Sequence, residues 1–193
     1  MKTMKTVVTI FMLALGTLLN AQSSPFEVGS NVISLGVGVG SSWGYASARQ
    51  TPAFNAQFER GIAPLGPGVI SLGGYLGYKG YSYRSNLSNG FFYEQNWAYR
   101  IVGVRAAWHL TELEGINLTK WDLYGGIMIG FHSVKYTYED NDPLFDYSSN
   151  TYGNGVGWSS FLGARYFLTD KLALQGELGY GISYLSLGVA FKF

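Results

Sequence analysis

From Val32 onward, apolar and polar or small residues alternate with a period of two, the spacing of a strand with two unlike faces. Val32 to Val39 places Ile33, Leu35, Val37 and Val39 opposite Ser34, Gly36 and Gly38. Ala53 to Glu59 opposes Phe54, Ala56 and Phe58 to Asn55, Gln57 and Glu59. A third segment sets Ile70, Leu72, Leu76 and Tyr78 against Ser71, Gly73, Tyr75, Gly77 and Lys79, and a fourth sets Val102, Val104, Ala106, Trp108 and Leu110 against Gly103, Arg105, Ala107 and His109. A fifth has Leu123, Ile127, Ile129 and Phe131 on one side, with Asp122, Tyr124, Gly126, Met128, Gly130 and His132 on the other. Trp158 to Leu168, Leu172 to Tyr180 and Ser183 to Phe193 complete eight strands.

The connections alternate in length. Gly61 to Gly68, Glu112 to Asn117 and Thr169 to Lys171 are short turns, whereas Ser41 to Thr51, Ser82 to Gln95 and Glu139 to Gly155 read as long polar loops. Pairing Leu168 with Leu172 keeps the apolar faces of the sixth and seventh strands in phase. A two-residue turn at Gly181-Ile182, with Gly first, pairs Tyr180 with Ser183 and keeps the eighth in phase as well. The last strand carries its apolar face, Leu187, Val189, Phe191 and Phe193, to a terminal Phe, and is expected to pair with Val32 to Val39.

Upstream, Lys2 and Lys5 precede an apolar run from Val7 to Leu19 and then Asn20-Ala21-Gln22, the form of a secretory signal peptide cut after Ala21. The run is short for a membrane-spanning helix, which needs roughly 20 apolar residues. Residues 1–21 are therefore read as signal and 22–193 as one domain. The 172 residues left from 193 allow about 21 per strand and connection, enough for eight strands that each span a bilayer in roughly 9 to 11 residues and too few for a sixteen-stranded porin.

Charged residues make up 13% of the chain and aromatics 17%, with 27 Gly and no Cys. That charge is about half the share usual in soluble domains, which suits a surface against lipid. Losing Lys2 and Lys5 takes the net charge from +1 to −1, so nothing favours nucleic acid as a partner. The lack of Cys excludes disulfides, thiolate metal sites and a lipid-modified Cys.

The segments Val104-Arg105-Ala106-Ala107-Trp108-His109-Leu110, Leu162-Gly163-Ala164-Arg165-Tyr166-Phe167, Glu177-Leu178-Gly179-Tyr180-Gly181 and Phe191-Lys192-Phe193, with Asn20-Ala21-Gln22 upstream, resemble the small eight-stranded outer-membrane β-barrels of the OmpX/OmpA-like class, in the form common in Bacteroidota. The resemblance implies an all-β, antiparallel, up-and-down transmembrane barrel in a Gram-negative outer membrane. It also implies that Leu187, Val189, Phe191 and Phe193 form the signal presented to the barrel assembly machinery. Lipid is the expected surrounding and a monomer the expected state. The fold-level alternative is a soluble lipocalin-like barrel with its apolar faces inward.

In the outward-apolar arrangement Glu59, Lys79, Arg105, His109, Asp122, His132, Arg165, Glu177 and Lys192 face a lumen that side chains fill. Charges there must be paired or hydrated, and they read as an ionic plug in preference to a proton path or narrow pore. Glu177, opposite Gly163, lies a diagonal step from Arg165. His109 and Asp122 could form a His-carboxylate pair, although the strand reading places no Ser beside them, and His132-Ser133 point to opposite faces. An outer-membrane lipid-modifying enzyme is thus a secondary alternative to a structural or surface-binding role, and a channel or transporter is the other. Glu139, Asp140, Asn141, Asp142 and Asp146 could hold Ca²⁺, though without the full spacing of a calcium loop; no metal or cofactor is assigned. Phe91, Phe92, Tyr93 and Trp97 are candidates for recognising an extracellular ligand or host surface, or for an interfacial belt.

Overall fold

The computed structural model describes residues 24–40, 49–86, 91–140 and 149–193. The amino-terminal signal and its cleavage site lie outside them, as do 41–48, 87–90 and 141–148. The strands are β1 (Asn31–Val39), β2 (Arg49–Gln50), β3 (Ala53–Pro64), β4 (Gly68–Asn86), β5 (Phe92–Leu110), β6 (Trp121–Asp140), β7 (Ser149–Phe167), β8 (Leu172–Gly179) and β9 (Leu185–Lys192). All pairings are antiparallel between neighbours, β1 pairs with β9, and β4 pairs with both β3 and β5. Eight strands therefore close into a ring without an open edge through the middle of the molecule. The two-residue β2 lies on β4 just above β3.

Closure rests on the expected registers. Phe167 pairs with Ala173 and Leu168 N–H donates to the Leu172 carbonyl at 2.8 Å, so the Leu168–Leu172 phase holds. Thr169 Oγ1 accepts from the Leu172 N–H at 3.0 Å, fixing that turn through a side chain. Leu178 pairs with Leu185 and Gly179 N–H donates to Tyr184 at 2.9 Å, the register that pairing Tyr180 with Ser183 requires. The turn itself differs. Gly181 does not take the positive φ of a type II′ turn, and Ile182 turns inward to be 1% exposed, because burying its side chain beneath Tyr75 and Gly77 outweighs a regular turn.

The largest departure from the sequence pattern is strand length. β4, β5 and β7 have 19 residues and β6 has 20, whereas β1, β8 and β9 have 8 or 9. The expected loop from Ser82 to Gln95 is mostly strand, with β4 reaching Asn86 and β5 starting at Phe92; the loop from Glu139 to Gly155 likewise yields Glu139 and Asp140 to β6 and Ser149 onward to β7. Since roughly 9 to 11 residues cross a bilayer, β4–β7 continue as a sheet that overhangs one end of the ring. Here Tyr81, Tyr83, Tyr93, Trp97, Tyr136 and Tyr138 alternate with polar residues, and aromatic residues favour extended, cross-paired backbone even where neither face is aliphatic. At the opposite end the predicted turn from Gly61 shortens to Leu65-Gly66-Pro67, with Gly66 at φ 57°.

Candidate functional site: the ionic core of the barrel

Polarity is inverted relative to a soluble protein. Val104, Val156, Trp158, Leu162 and Tyr180 are 68 to 78% exposed on the outside, while Glu59, Arg105, His109, Asp122 and Arg165 are 0 to 2% exposed within. Outward aromatics gather at both rims of the aliphatic band: Trp108, with Trp121 packed on Tyr166 at 4.9 Å, near the short turns, and Phe54, Tyr78, Trp158, Tyr180 and Tyr184 at the other end. Arg100 to Leu110 covers about 34 Å of strand, which at the usual tilt of about 40° is about 26 Å, close to the apolar height of such barrels. An aliphatic exterior of that height, belted by aromatics over a charged bore, decides the setting. The fold is that of a small outer-membrane β-barrel.

Solved structures with similar chain paths include Ail, the attachment invasion locus protein of Yersinia pestis, in complex with the heparin analogue sucrose octasulfate (12% identity, TM-score 0.49, covering 86% of this chain and 100% of that one). The amino-terminal β-barrel domain of Pseudomonas aeruginosa OprF is another (15%, TM-score 0.44, 89% and 100%), as is Neisserial surface protein A (17%, TM-score 0.43, 89% and 99%). No protein-family model matches the sequence, and no curated protein does.

Inside the barrel, inward positions of five strands converge. Glu59 on β3 lies between two guanidiniums: its Oε1 faces Arg105 Nε at 3.0 Å as an ion pair outside hydrogen-bond alignment, and its Oε2 accepts from Arg165 Nη2. Arg105 Nη2 donates to Glu177 at 2.7 Å, and Tyr124 Oη donates to the same carboxylate at 3.1 Å. Arg165 Nη1 donates to Asp122 Oδ2 at 2.9 Å and its Nε to Gln175 at 2.9 Å. Gln175 passes the network to Gln57 at 2.9 Å. Each guanidinium also stacks on a ring, Arg105 over Phe161 at 3.8 Å and Arg165 over Tyr124 at 4.4 Å.

Glu177 does lie opposite Gly163, but it turns to Arg105 and not to Arg165. Arg165 is claimed from across the bore by Glu59 and Asp122, a partnership invisible when only neighbouring strands are considered. Gly163 matters in its own way, since a Cβ there would collide with the Tyr124 ring; the missing side chain lets that ring lie flat across the sheet.

His109 and Asp122 form the expected pair, Nδ1 to Oδ1 at 2.7 Å. The expectation that no Ser stands beside them is overturned, because Ser71 Oγ lies 2.9 Å from His109 Nε2. Ser71 is paired with Ala107, one diagonal step from His109, and the imidazole covers that step. A ring donating Nδ1–H to Asp122 is left to accept from Ser71 at Nε2. The arrangement has the order of a hydrolytic triad without its surroundings: Ser71 sits in the ladder between β3 and β5, leaving no spare N–H pair for an oxyanion. Phe26 lies flat on His109 at 3.7 Å and 12°, with Tyr124 at 5.1 Å and 28°. What the relay can do is hold a proton and fix strand register.

Phe26 is a buried contact of His109 that alternation could not reveal, since it precedes the first strand. Ser24 N–H donates to the Thr111 carbonyl at 2.9 Å and Lys192 Nζ donates to the Pro25 carbonyl at 2.9 Å, tying the segment across the short-turn mouth. Phe26→Ala is expected to admit water to that end and raise the rate at which diethyl pyrocarbonate modifies His109, followed by mass spectrometry; an unchanged rate would mean that Phe26 does not seal the bore.

The remaining inward residues stand apart from this cluster. Lys79 is buried beside Tyr81, its Nζ 5.0 Å from the ring centroid, and His132 lies higher, beside Gly155 and Gly157. Beside Arg105 and Glu177 the free volume is about 20 Å³, room for roughly one water. Phe92, Tyr93 and Trp97 belong to β5 and not to a loop, and Phe91 immediately precedes it. By alternation Tyr93 and Trp97 share the inward face with Arg105, whereas Phe92 faces out beneath Arg84 at 3.9 Å. Of the candidate calcium ligands, Asn141, Asp142 and Asp146 lie outside the described residues, and Glu139 and Asp140, adjacent on β6, take opposite faces.

Proposed function

We propose that the protein is exported by residues 1–21, inserted through recognition of Leu187, Val189, Phe191 and Phe193 by the barrel assembly machinery, and acts as a monomeric surface protein that binds an extracellular partner. The observation that carries this reading is the overhanging sheet of β4–β7. Its inner face presents Tyr83, Tyr93, Trp97, Tyr136 and Tyr138, with Trp97 against Tyr136 at 5.3 Å and Tyr93 against Tyr138 at 6.3 Å. Rings held in cross-strand contact offer large amphipathic area at little entropic cost, the composition favoured in recognition surfaces.

A bore filled by Arg165, Arg105, Glu59 and Tyr124 supports a plug over a channel, and the enclosed Ser71-His109-Asp122 relay gives no support to lipid modification. Cells expressing the wild type are expected to adhere to glycan- or protein-coated surfaces better than deletion cells. Tyr93→Ala combined with Trp97→Ala should abolish the gain while heat-modifiable migration, the mark of a folded barrel, persists. Equal adhesion by deletion and wild-type cells would overturn the surface-binding reading.

A further inference from the structure

The outside of the barrel is not uniformly convex. Between β9, β1, β3, β4 and β5 runs a furrow of about 730 Å³, floored by Ala56 and walled by Leu35, Phe54, Leu76 and Val102. It is open to the surroundings of the barrel along its length. It exists because Ala56 is the small outward residue in a cross-strand row otherwise occupied by Leu and Val: Ala56 pairs with Leu35 on one side and Leu76 on the other, and these pair with Val189 and Val102.

The furrow ends at a cation. Arg100 lines its upper end beside Tyr78, its cross-strand partner, and is exposed on the lipid-facing side. One step above, a second hollow of about 320 Å³ has Gly80 and Ala98 in its floor and Arg49 and Lys135 among its walls. Among the described residues none of Arg49, Arg100 and Lys135 forms an ion pair with a carboxylate; the outward Glu94 is taken by Arg84 at 3.8 Å. By contrast Arg60, the outward arginine at the other rim, is satisfied by Asn31 at 2.9 Å. An apolar trough thus meets three cations, unpaired with any carboxylate among the described residues, at the level where the aromatic belt places lipid headgroups.

We propose that this face binds one phosphorylated lipid of the outer leaflet, with an acyl chain in the furrow over Ala56, a phosphate on Arg100, and a further anionic headgroup substituent between Arg49 and Lys135. The proposal rests on the outer-membrane reading and deepens it. A zwitterionic headgroup would bring an ammonium to the same three cations, so charge complementarity selects an anionic lipid; guanidinium suits phosphate through paired N–H donors.

The test is native mass spectrometry of the full barrel released from phosphatidylcholine nanodiscs containing bisphosphorylated or dephosphorylated lipid A. The wild type should retain the bisphosphorylated form, and Arg100→Gln should lower that retention about fivefold, the effect of one interfacial cation, while Arg60→Gln leaves it unchanged. Ala56→Phe, which fills the furrow and keeps every charge, should lower retention of both forms. Equal retention by wild type and Arg100→Gln, or displacement of the lipid by inorganic phosphate, overturns the lipid site and leaves the membrane fold standing. Failure of the wild type to enter bilayers overturns both.

Discussion

Arg165→Met is expected to be the most destabilising single substitution in the bore, lowering unfolding free energy by about 3–5 kcal/mol, the usual consequence of removing one partner from a buried ion cluster. Arg165 is fully enclosed and serves two carboxylates on different strands, Glu59 and Asp122, as well as the Gln175 amide. Methionine fills much of the volume but strands Asp122 with His109 alone and leaves Glu59 with an ion pair of imperfect alignment to Arg105. The measurement is a urea titration of barrel folded in phosphatidylcholine vesicles, read by heat-modifiable migration. Glu177→Gln is the internal comparison: the Glu177 side chain is 10% exposed, its amide replacement can still accept from Arg105, and Arg105 keeps Glu59, so the loss should be smaller. Asp122→Asn in the Arg165→Met background should recover part of the loss, since it removes the stranded charge. A cost for Arg165→Met no greater than that of the exposed Arg60→Met would show that the network does not hold the barrel together.

The ring and its phases were legible because each strand between the aromatic belts has one aliphatic face, and a slip of one residue would turn that face into the bore. Leu168–Leu172 and Leu178–Leu185 follow from this single constraint, as does the shared inward phase of Val32 and Lys192, whose pairing the structure supplies. It stops where aliphatic residues stop. Beyond Arg100 the outward positions are Ala98, Asn96 and Glu94, so Ser82 to Gln95 carries no apolar face and looks like loop, although its tyrosines pair across strands as the structure records.

The inward set was legible one residue at a time, and its partnerships were not. Alternation places a side chain inside the ring, but which carboxylate Arg165 reaches depends on the diameter of the ring and on which side chains cross it. Ser71 shows this most clearly: its inward phase was evident, yet its contact with His109 depends on a diagonal reach that no two-residue period encodes. Phe26 lies outside any periodic segment, and its burial follows from the chain folding back over the mouth before β1 begins.

Val104→Arg is expected to cost about 2–4 kcal/mol in a bilayer, the penalty for a basic residue near the midplane of a membrane barrel. Val104 is 68% exposed on the outer face, paired with Gly74 and Ile129 and lying between the Arg100 and Trp108 levels. No pairing is lost by the substitution and no buried space is invaded, so the cost comes from placing a guanidinium in hydrocarbon. Leu113→Arg, at another exposed apolar position in the turn after β5, 41% exposed, sits beyond the lower belt, where the same change costs about 0–1 kcal/mol. The two sites therefore respond differently only if lipid surrounds the band. In water both positions are exposed and both changes fall within the usual ±0.5 kcal/mol of surface substitutions. Urea titrations in vesicles of both variants, with the wild type alongside, measure the difference directly. A gap of at least about 1.5 kcal/mol is the expected result, and coincident transitions would mean that the aliphatic band does not lie in a membrane.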